Sequence, residues 1–482
     1  MQTERAWAIS EFGDARLGDH RRKWRLIQMA AEVAAKPHGV ITSAFRSDAS
    51  RQGAYDFLES KHVDSAAVEE AAGSSCAQRA ATHPFVFVPI DGTGISLSDP
   101  HELKELGPLG GHDLRNRGRC MKAINAIAFD PNGAAIGVAA QEFWTRPNRR
   151  DQTRQERRKA DRRRPRHEKE FRHWTSIIKR IDQRFEAAKA TAWFVVDREG
   201  DAREILDAFA SSRHFFTVRA CHDRAVSVVH DERATVRRPH FRQKQRHLRA
   251  EMAQRRIYAH CEIGVTAAWN RAARKAKLVV RIHRIALRMR VDKGRRIDVV
   301  PINVVWVHEY GTTPHGEKPL DWMLFTNHPI DTLNNVERVI QSYTQRWRIE
   351  EFHKTWKSGC CHVEQAQLRS ADALKKWATI LAAVAARVER LKHLSRSSPE
   401  LAASTELTPY ELKAVLLLKR REKKRTEVID DNPTIALATR WIADLGGYTG
   451  KSSGGPPGSI TIARGLERVR IAADVIEELE RK

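Results

Sequence analysis

Two short apolar runs, each closed by an aspartate, constrain the fold of this chain more than any other feature of its sequence. Residues 85–90 read FVFVPI and precede Asp91, and residues 191–196 read TAWFVV and precede Asp197. Apolar runs of this length, rich in β-branched and aromatic residues, predict buried strands. We therefore expect both aspartates at the carboxyl ends of strands.

Further strands are predicted in two places. A hairpin is expected over 124–129 and 135–143, because DPNG at 130–133 is a turn signal. A β-rich insertion is expected over about 205–335, between Asp197 and the polar segment described next. Its strands are predicted at 215–219, 225–229, 257–265, 278–290, 297–307 and 322–326.

The segment 343–357, YTQRWRIEEFHKTWK, carries four polar side chains at helical spacing. On one α-helix, at about 100° per residue, all four fall within an arc of about 60°. Burying these polar side chains in an apolar core without partners is costly. The same side chains suit a site where a carboxylate holds a metal ion and the cations bind phosphates. The alternative is a solvated helix face with i,i+4 ion pairs. The four residues are Tyr343, Arg346, Glu350 and Lys357.

Large aromatic residues border this polar stripe, at Trp347, Phe352 and Trp356. They favour a packed helix whose polar stripe faces a ligand or a cleft. Together with Asp91 and Asp197, Glu350 would then complete a three-carboxylate metal site, since Mg²⁺ prefers hard oxygen ligands.

The charge balance predicts a polyanionic partner. The chain of 482 residues has 85 Lys and Arg against 60 Asp and Glu, a net charge of +25. Nucleic acid is the leading candidate. An anionic membrane surface is a weaker candidate, because the sequence shows no strongly amphipathic basic helix that could anchor the chain there. If the chain neutralises about 6–10 phosphates, raising the salt concentration from 50 to 200 mM would lower its affinity for DNA by about 10³–10⁵. The length predicts two to four domains.

Cysteine usage and hydropathy indicate a protein of the reducing cytoplasm. The six cysteines form no CxxC pair, which argues against a disulfide framework and a structural zinc site. The sequence contains no run of eighteen apolar residues, so no membrane span is expected. The N-terminus lacks the apolar core of a secretory signal.

Both ends of the chain are predicted to be helical. Residues 1–70 are expected to form a DNA-binding domain, with Asp19 capping a cationic helix and a second helix over 47–58. The alternative is a basic, solvated pair of helices. Residues 71–372 would form the central domain, and 373–482 a C-terminal helical domain. The cations expected to contact DNA in the first domain are Arg21, Arg22 and Arg25.

Three basic runs add to this interpretation, at 146–172, 235–256 and 419–425. One such run is usually a solvated surface. Three in a chain of this charge favour a surface that follows phosphates.

These elements together resemble the bacterial cut-and-paste DDE transposases of the IS-four type, and among them the Tn-five group most. Beyond 343–357, the resemblance extends over most of the chain. It is carried by RLGDHRRKWRL at 16–26, GAY at 53–55, IDGT at 90–93, LGPLG at 106–110, RGR at 117–119, EFWTRP at 142–147, DREGD at 197–201, PLDWMLFT at 319–326, LTPYELKAVLLLKRREKKR at 407–425 and IADLGGYTG at 442–450.

The resemblance implies an α/β fold: a ribonuclease-H-like catalytic core with the β-rich insertion, flanked by helical N- and C-terminal domains. It implies that Asp91, Asp197 and Glu350 are the catalytic and metal-binding triad, with two Mg²⁺ ions that Mn²⁺ can replace. Tyr343, Arg346 and Lys357 would bind DNA phosphates.

The resemblance also implies that Trp322 accepts a flipped base and makes room for a DNA hairpin. Without the resemblance, Trp322 would be interpreted as a core tryptophan on a strand. The implied partners are double-stranded DNA, both transposon-end inverted repeats and target DNA, and a second copy of the chain, paired through the C-terminal helices.

Two other functions fit the sequence less well. A catalytically silent DNA-binding relative or transposition inhibitor would not need an intact triad. A generic nuclease or Holliday-junction enzyme would not need Trp322 or the helical C-terminal region.

Overall fold

The structure is a computed structural model of the chain. It describes residues 2–99, 104–108, 119–147, 153–165, 168–228, 246–265, 272–290, 297–422, 429–450 and 455–480. Parts of the predicted basic runs (148–152, 166–167, 235–245 and 423–425) and of two family-like segments (109–110 and 117–118) lie outside the described residues.

The chain divides into two compact units. Unit one comprises Met1–Lys169, Gln183–Thr191 and Trp347–Lys482, and unit two comprises Glu170–Asp182 and Ala192–Arg346. The domain boundaries expected near residues 70 and 372 stay predictions, and both positions fall inside unit one.

Unit one begins with short helices whose first residues the sequence specifies. Asp19 caps the second helix as predicted, because its Oδ1 accepts a hydrogen bond of 2.8 Å from the backbone N–H of Arg21. Ser47 caps the fourth helix in the same way, through the N–H of Ser50. The helices are α1 (Gln2–Phe12), α2 (His20–Ala35), α3 (Ile41–Ala44), α4 (Asp48–Glu59) and α5 (Ser65–Ala80).

An antiparallel sheet follows in unit one. Its strands are β1 (Val86–Leu97), β2 (Gly107–Pro108), β3 (Arg119–Phe129) and β4 (Ala135–Trp144). β3 pairs with β1 and also with β4 and β2. The predicted hairpin of β3 and β4 is confirmed, although β3 begins five residues earlier than expected. Helix α6 (Arg154–Arg163) comes next, and α7 (Phe171–Ala187) runs from unit two into unit one.

Unit two is built on one mixed sheet. Its elements are β5 (Ala192–Val196), α8 (Arg203–Ala210), β6 (Phe215–Arg219), β7 (Ala225–Val228), β8 (Arg246–His247), α9 (Leu248–Ala253), β9 (Ala259–Val265), β10 (Arg274–Arg290), β11 (Ile297–Glu309), β12 (Asp321–Thr326) and α10 (Leu333–Thr344). β5 and β6 are parallel and joined through α8, while the other strand pairs are antiparallel.

The strands predicted as an insertion belong to this same sheet. The strand order is β5-β6-β12-β11-β10-β7-β8, and β9 also pairs with β10. All six predicted strands are present, with ends within four residues of the predicted ones. The region therefore extends the sheet that carries Asp197 and does not form a separate layer.

Helices complete unit one. They are α11 (Trp347–Lys357), α12 (Ala371–Ser397), α13 (Pro409–Glu422), α14 (Ile435–Leu445) and α15 (Ser459–Glu480). α12 is buried on nearly every side, which marks it as a core helix. It packs against α4, α5, α11, α14 and β4. The expected α/β class with helical ends is confirmed. Among the described residues, no helix combines the length and apolarity that crossing a bilayer requires.

Candidate active site

Asp91 lies in the middle of β1, which corrects the prediction that it ends a strand. The backbone ladder continues past it, with Asp91 opposite Asn125 and Leu97 opposite Arg119. The apolar run ends at Ile90 because burial ends there, whereas strand pairing needs only backbone groups and so continues through the polar residues. Asp91 keeps 20% of its side chain exposed, enough to meet a ligand.

Asp197 follows β5 directly, as predicted. It caps a short 3₁₀ turn, where its Oδ1 accepts a hydrogen bond of 2.8 Å from the N–H of Glu199. Its position after a buried parallel strand of unit two is a common place for ligand-binding residues. Asp91 and Glu350 belong to unit one.

The polar segment 343–357 is not one helix, so the predicted single arc is wrong. α10 ends at Thr344 and α11 begins at Trp347. Between them the N–H of Gln345 bonds to Ser342 and that of Arg346 to Tyr343, both at 3.1 Å. These i→i+3 bonds tighten the chain into a turn.

The break divides the four polar side chains between the units. Tyr343 and Arg346 belong to unit two, whereas Glu350 and Lys357 share α11 in unit one. Seven residues apart on one helix, Glu350 and Lys357 differ by only about 20° in direction. No proline or glycine lies between 343 and 350, so local sequence gives no sign of the turn.

Trp322 and Tyr343 are in contact within unit two. Trp322 on β12 is only 8% exposed and Tyr343 only 3% exposed. Their ring centroids are 5.2 Å apart and the planes meet at 64°, an edge-to-face arrangement. The structure therefore pairs the residue expected to accept a base with one expected to bind phosphate.

His353, which the sequence analysis did not single out, lies beside Asp91. It follows Glu350 by one turn on α11, which packs against β1 and β3. Its Nδ1 is 3.8 Å from Oδ2 of Asp91, and its Nε2 is 3.0 Å from Nδ2 of Asn125. Burial lowers the pKa of His353 to about 3, with a further contribution from Lys357. The imidazole is therefore neutral at neutral pH and adds no positive charge beside Asp91.

A row of polar side chains crosses the sheet at this point, which we call the polar row: Asp91, Asn125 and Gln141. Asp91 faces Asn125 across β1 and β3, and Asn125 faces Gln141 across β3 and β4. Directly paired residues share one face of a sheet. Gln141 donates from Nε2 to Oδ1 of Asn125 at 2.6 Å.

A buried ion pair supports the far end of the polar row. Oε1 of Glu69 accepts 2.9 Å hydrogen bonds from the N–H of Gln141 and from Nη1 of Arg184. Arg184 also donates to Oε2 of Glu69 at 2.6 Å and to the carbonyl of Ala139 at 2.9 Å. Gly73 makes room for it, because a Cβ there would stand 2.1 Å from Nη1 of Arg184.

Lys357 lies at the other side of β1, already paired. Its Nζ is 3.3 Å from Oε1 of Glu364 and 3.5 Å from Oγ1 of Thr93. Glu364 also accepts a hydrogen bond of 3.0 Å from the N–H of Ser96. A phosphate that binds Lys357 would share its ammonium with Glu364, whose negative charge opposes the phosphate.

A second set of potential metal ligands, Glu351, Glu389 and His393, takes part in an ion-pair network with Lys392. Nζ of Lys392 is 3.3 Å from Oε2 of Glu351 and also pairs with Glu389. Thr355 donates its hydroxyl to Glu389 at 2.5 Å. Since a lysine ammonium already serves both carboxylates, these residues tie α11 to α12.

The three N-terminal arginines on α2 differ in their surroundings. Arg21 is exposed and Arg22 and Arg25 are half-buried. Arg22 donates to the carbonyls of Leu17 and His62, at 3.1 and 3.2 Å, and so also closes the local fold. Arg25 packs over Gly53.

Part of one basic run serves the fold of unit two. Arg246 and Arg255 both pair with Glu251, whose side chain is fully buried. These two cations neutralise a buried carboxylate and are less available to bind phosphate.

Comparison with known families gives two matches, one at each end of the chain. The family described as Transposase DNA-binding matches residues 4–63, which cover α1 to α4. The family described as Transposase Tn5 dimerisation domain matches residues 383–478, from within α12 to near the end of α15. α15 carries an exposed apolar stripe at every fourth residue. Its members are Ile471, Val475 and Leu479, which are 48%, 52% and 67% exposed.

Proposed function

This chain is a Tn5-like transposase, and from that premise we propose that it cuts DNA at the ends of a mobile element and joins them to target DNA. The proposed steps are nicking at the transposon ends, hairpin formation and resolution, and transfer of the 3′-hydroxyls. The observation that carries the proposal is the placement of Glu350 one turn from His353, whose imidazole lies beside Asp91.

We propose a ribonuclease-H-like core for this chemistry. Of the antiparallel strands β1, β3 and β4, β1 carries Asp91, and α11 with its Glu350 packs against β1 and β3. The parallel β5–α8–β6 element carries Asp197. A core of this type would bring the three carboxylates together.

The carboxylates suit two Mg²⁺ ions, or Mn²⁺ in their place. Asp91, Asp197 and Glu350 offer hard oxygen donors, and the neutral imidazole of His353 does not cancel the charge of Asp91. Bound ions of this kind activate an attacking oxygen and stabilise the leaving 3′-oxygen. The three carboxylates would hold those ions at the place where the scissile phosphate binds.

The remaining site residues would hold the DNA. Arg346 and Lys357 bind phosphate oxygens by charge-assisted hydrogen bonds, and Tyr343 adds a phenol donor. Trp322 would stack on a flipped base, an interaction worth about 1–3 kcal/mol. Because Trp322 is 8% exposed and contacts Tyr343, a base could stack there only after a local rearrangement of these two rings.

The pairing surface would be the exposed stripe of α15, which lies almost wholly within the region matched to the dimerisation domain. Two such stripes packed together would remove Ile471, Val475 and Leu479 from water. A pair of chains is what two transposon ends require if each chain serves one end.

The test uses the full-length protein with Mg²⁺ and a duplex that carries the inverted repeats flanking its gene. We expect nicks at the repeat boundary, hairpin ends and joined products. Specific end binding without any metal-dependent cut would instead identify a silent DNA-binding relative. Cuts without hairpin ends would identify a nuclease on the same fold.

Replacing Glu364 by Gln is expected to tighten end binding by up to about fivefold. Exposed ion pairs contribute about 0.2–1 kcal/mol, and glutamine would no longer compete with phosphate for Lys357 while still accepting from the N–H of Ser96. Fluorescence anisotropy with a labelled end duplex measures this change. Glu480→Gln has the same charge change outside both matched regions and is the control. Equal affinities of the two variants would contradict the prediction.

A further inference from the structure

We propose that Asn125 and Gln141 are positioning residues that fix His353 as the tautomer with its proton on Nδ1, so that this proton faces Asp91. The inference rests on the proposed function only in assigning Asp91 to metal binding. In addition to the proposed function, it assigns a role to Asn125 and Gln141 of the polar row, which is to keep the carboxylate of Asp91 in one orientation through His353.

Gln141, Asn125, His353 and Asp91 follow one another in space, and we call this series the relay. The direction of its hydrogen bonds follows from its two ends. Gln141 donates from Nε2 to Oδ1 of Asn125, so the amide group of Asn125 is turned with Nδ2 toward His353. Nδ2 is only a donor, and Nε2 of His353 must therefore accept. A neutral imidazole that accepts at Nε2 carries its proton on Nδ1.

The other end of the relay gives the same answer independently. Nδ1 of His353 lies 3.8 Å from Oδ2 of Asp91. A carboxylate only accepts, so the tautomer that points a donor toward it is the favourable one. Gln141 at one end and Asp91 at the other thus specify the same proton position.

Burial makes this arrangement rigid. Asn125 is fully buried, Gln141 is 1% exposed and His353 is 8% exposed. Turning one amide alone would bring two donors or two acceptors together away from water, at a cost of about 1–3 kcal/mol. Turning both would move the proton of His353 to Nε2, away from Asp91. The main chain of Gln141 is itself held by Glu69, which Arg184 fixes in turn.

The consequence for metal binding is one of orientation. Hydrogen-bond partners behind a metal ligand fix its geometry, and their loss typically costs about 10–100-fold in metal affinity or activity. At 3.8 Å, Nδ1 of His353 is beyond hydrogen-bond distance of Oδ2 of Asp91, so its N–H would orient that carboxylate by electrostatic attraction within unit one.

The first experiment reads the tautomer directly in the metal-free, full-length protein. Nitrogen-15 NMR of histidine-labelled protein distinguishes Nδ1–H from Nε2–H imidazole, and the His353 signal is assigned by its loss in His353→Asn. We expect Nδ1–H in the wild type. In Asn125→Asp, where an oxygen replaces Nδ2, we expect a proton on Nε2. A wild-type proton on Nε2, or an unchanged tautomer in Asn125→Asp, would overturn the proposal.

The second experiment compares two substitutions of His353. An Asn side chain places an amide near the former Nδ1, toward Asp91, whereas a Gln side chain places it near the former Nε2, toward Asn125. We expect His353→Gln to need about 10–100-fold more Mg²⁺ for half-maximal cleavage, and His353→Asn to recover most of the loss. End binding should stay unchanged in both.

A purely structural role for His353 would impair both variants alike and would count against the proposal. The readouts also separate this inference from the proposed function. A wild type with the expected tautomer and no metal-dependent cleavage would refute the function and leave the relay standing. Normal cleavage with the opposite tautomer would refute the relay alone.

Discussion

Replacing Glu350 by Gln is expected to lower the rate of strand cleavage at least about a thousandfold while end binding remains. A metal ion supplies several kcal/mol of charge stabilisation in the transition state, and each 1.36 kcal/mol lost is about tenfold in rate. The glutamine amide has nearly the same size but no charge, so it would remove a metal ligand without opening a cavity. Single-turnover cleavage of a labelled end duplex, with binding followed by gel shift, measures both quantities.

The same loss is expected for Asp91→Asn and for Asp197→Asn, although the two residues lie on different units. Glu337→Gln, on the exposed side of α10, makes the same change of charge and should cleave at the wild-type rate. Wild-type cleavage by any of the three site variants would remove that residue from the triad.

Replacing Arg184 by Met is expected to lower the free energy of unfolding of unit one by about 3–5 kcal/mol. The substitution removes the guanidinium that lies 2.6 Å from the carboxylate of Glu69, a residue only 5% exposed. Urea unfolding followed by circular dichroism measures the change. Glu70→Gln is the matched control, because that side chain is 57% exposed and its pair with Arg184 should contribute less than about 1 kcal/mol.

The origin of this loss can be tested by adding a second substitution. Glu69→Gln removes the buried charge but keeps an oxygen for the N–H of Gln141. The double variant should therefore be more stable than Arg184→Met alone. A double variant that loses the sum of both effects would show that packing of the Arg184 side chain, and not the uncompensated charge, causes the instability.

Strand positions could be predicted because burial leaves a local pattern. The run 191–196 and the β-branched stretches of 215–326 carry that pattern, and the strands lie where it predicts. Asp91 shows the limit of this reasoning. The sequence marks where apolar burial stops at Ile90, but the strand continues because β3 pairs with the polar residues that follow.

The turn at Gln345 and Arg346 could not be predicted, since neither residue disfavours a helix strongly. The spacing of Tyr343, Arg346, Glu350 and Lys357 remains compatible with a continuous helix on paper. What divides them is the packing of α10 on the sheet of unit two and of α11 on α12 and β1 in unit one.

Residues behind Asp91 escaped the sequence analysis for a different reason. Asn125 and His353 are 228 positions apart, and Gln141 and Glu69 are 72 positions apart. No window of sequence joins such pairs. One local signal did exist: His353 follows Glu350 by three residues and precedes Lys357 by four, which places all three on the same side of a helix.

The polar row has a consequence for folding as well as for chemistry. Side chains alternate between the faces of a strand, so a slip of β3 by one residue would offer Ile124 or Ala126 to α11 in place of Asn125. Neither side chain could donate a hydrogen bond to His353, and the amide of Gln141 would be buried against an apolar side chain without its partner Asn125. A sheet with a shifted register would thus lose buried hydrogen bonds and be less stable. The same amides that we propose for positioning Asp91 would therefore also favour the correct register of β1, β3 and β4.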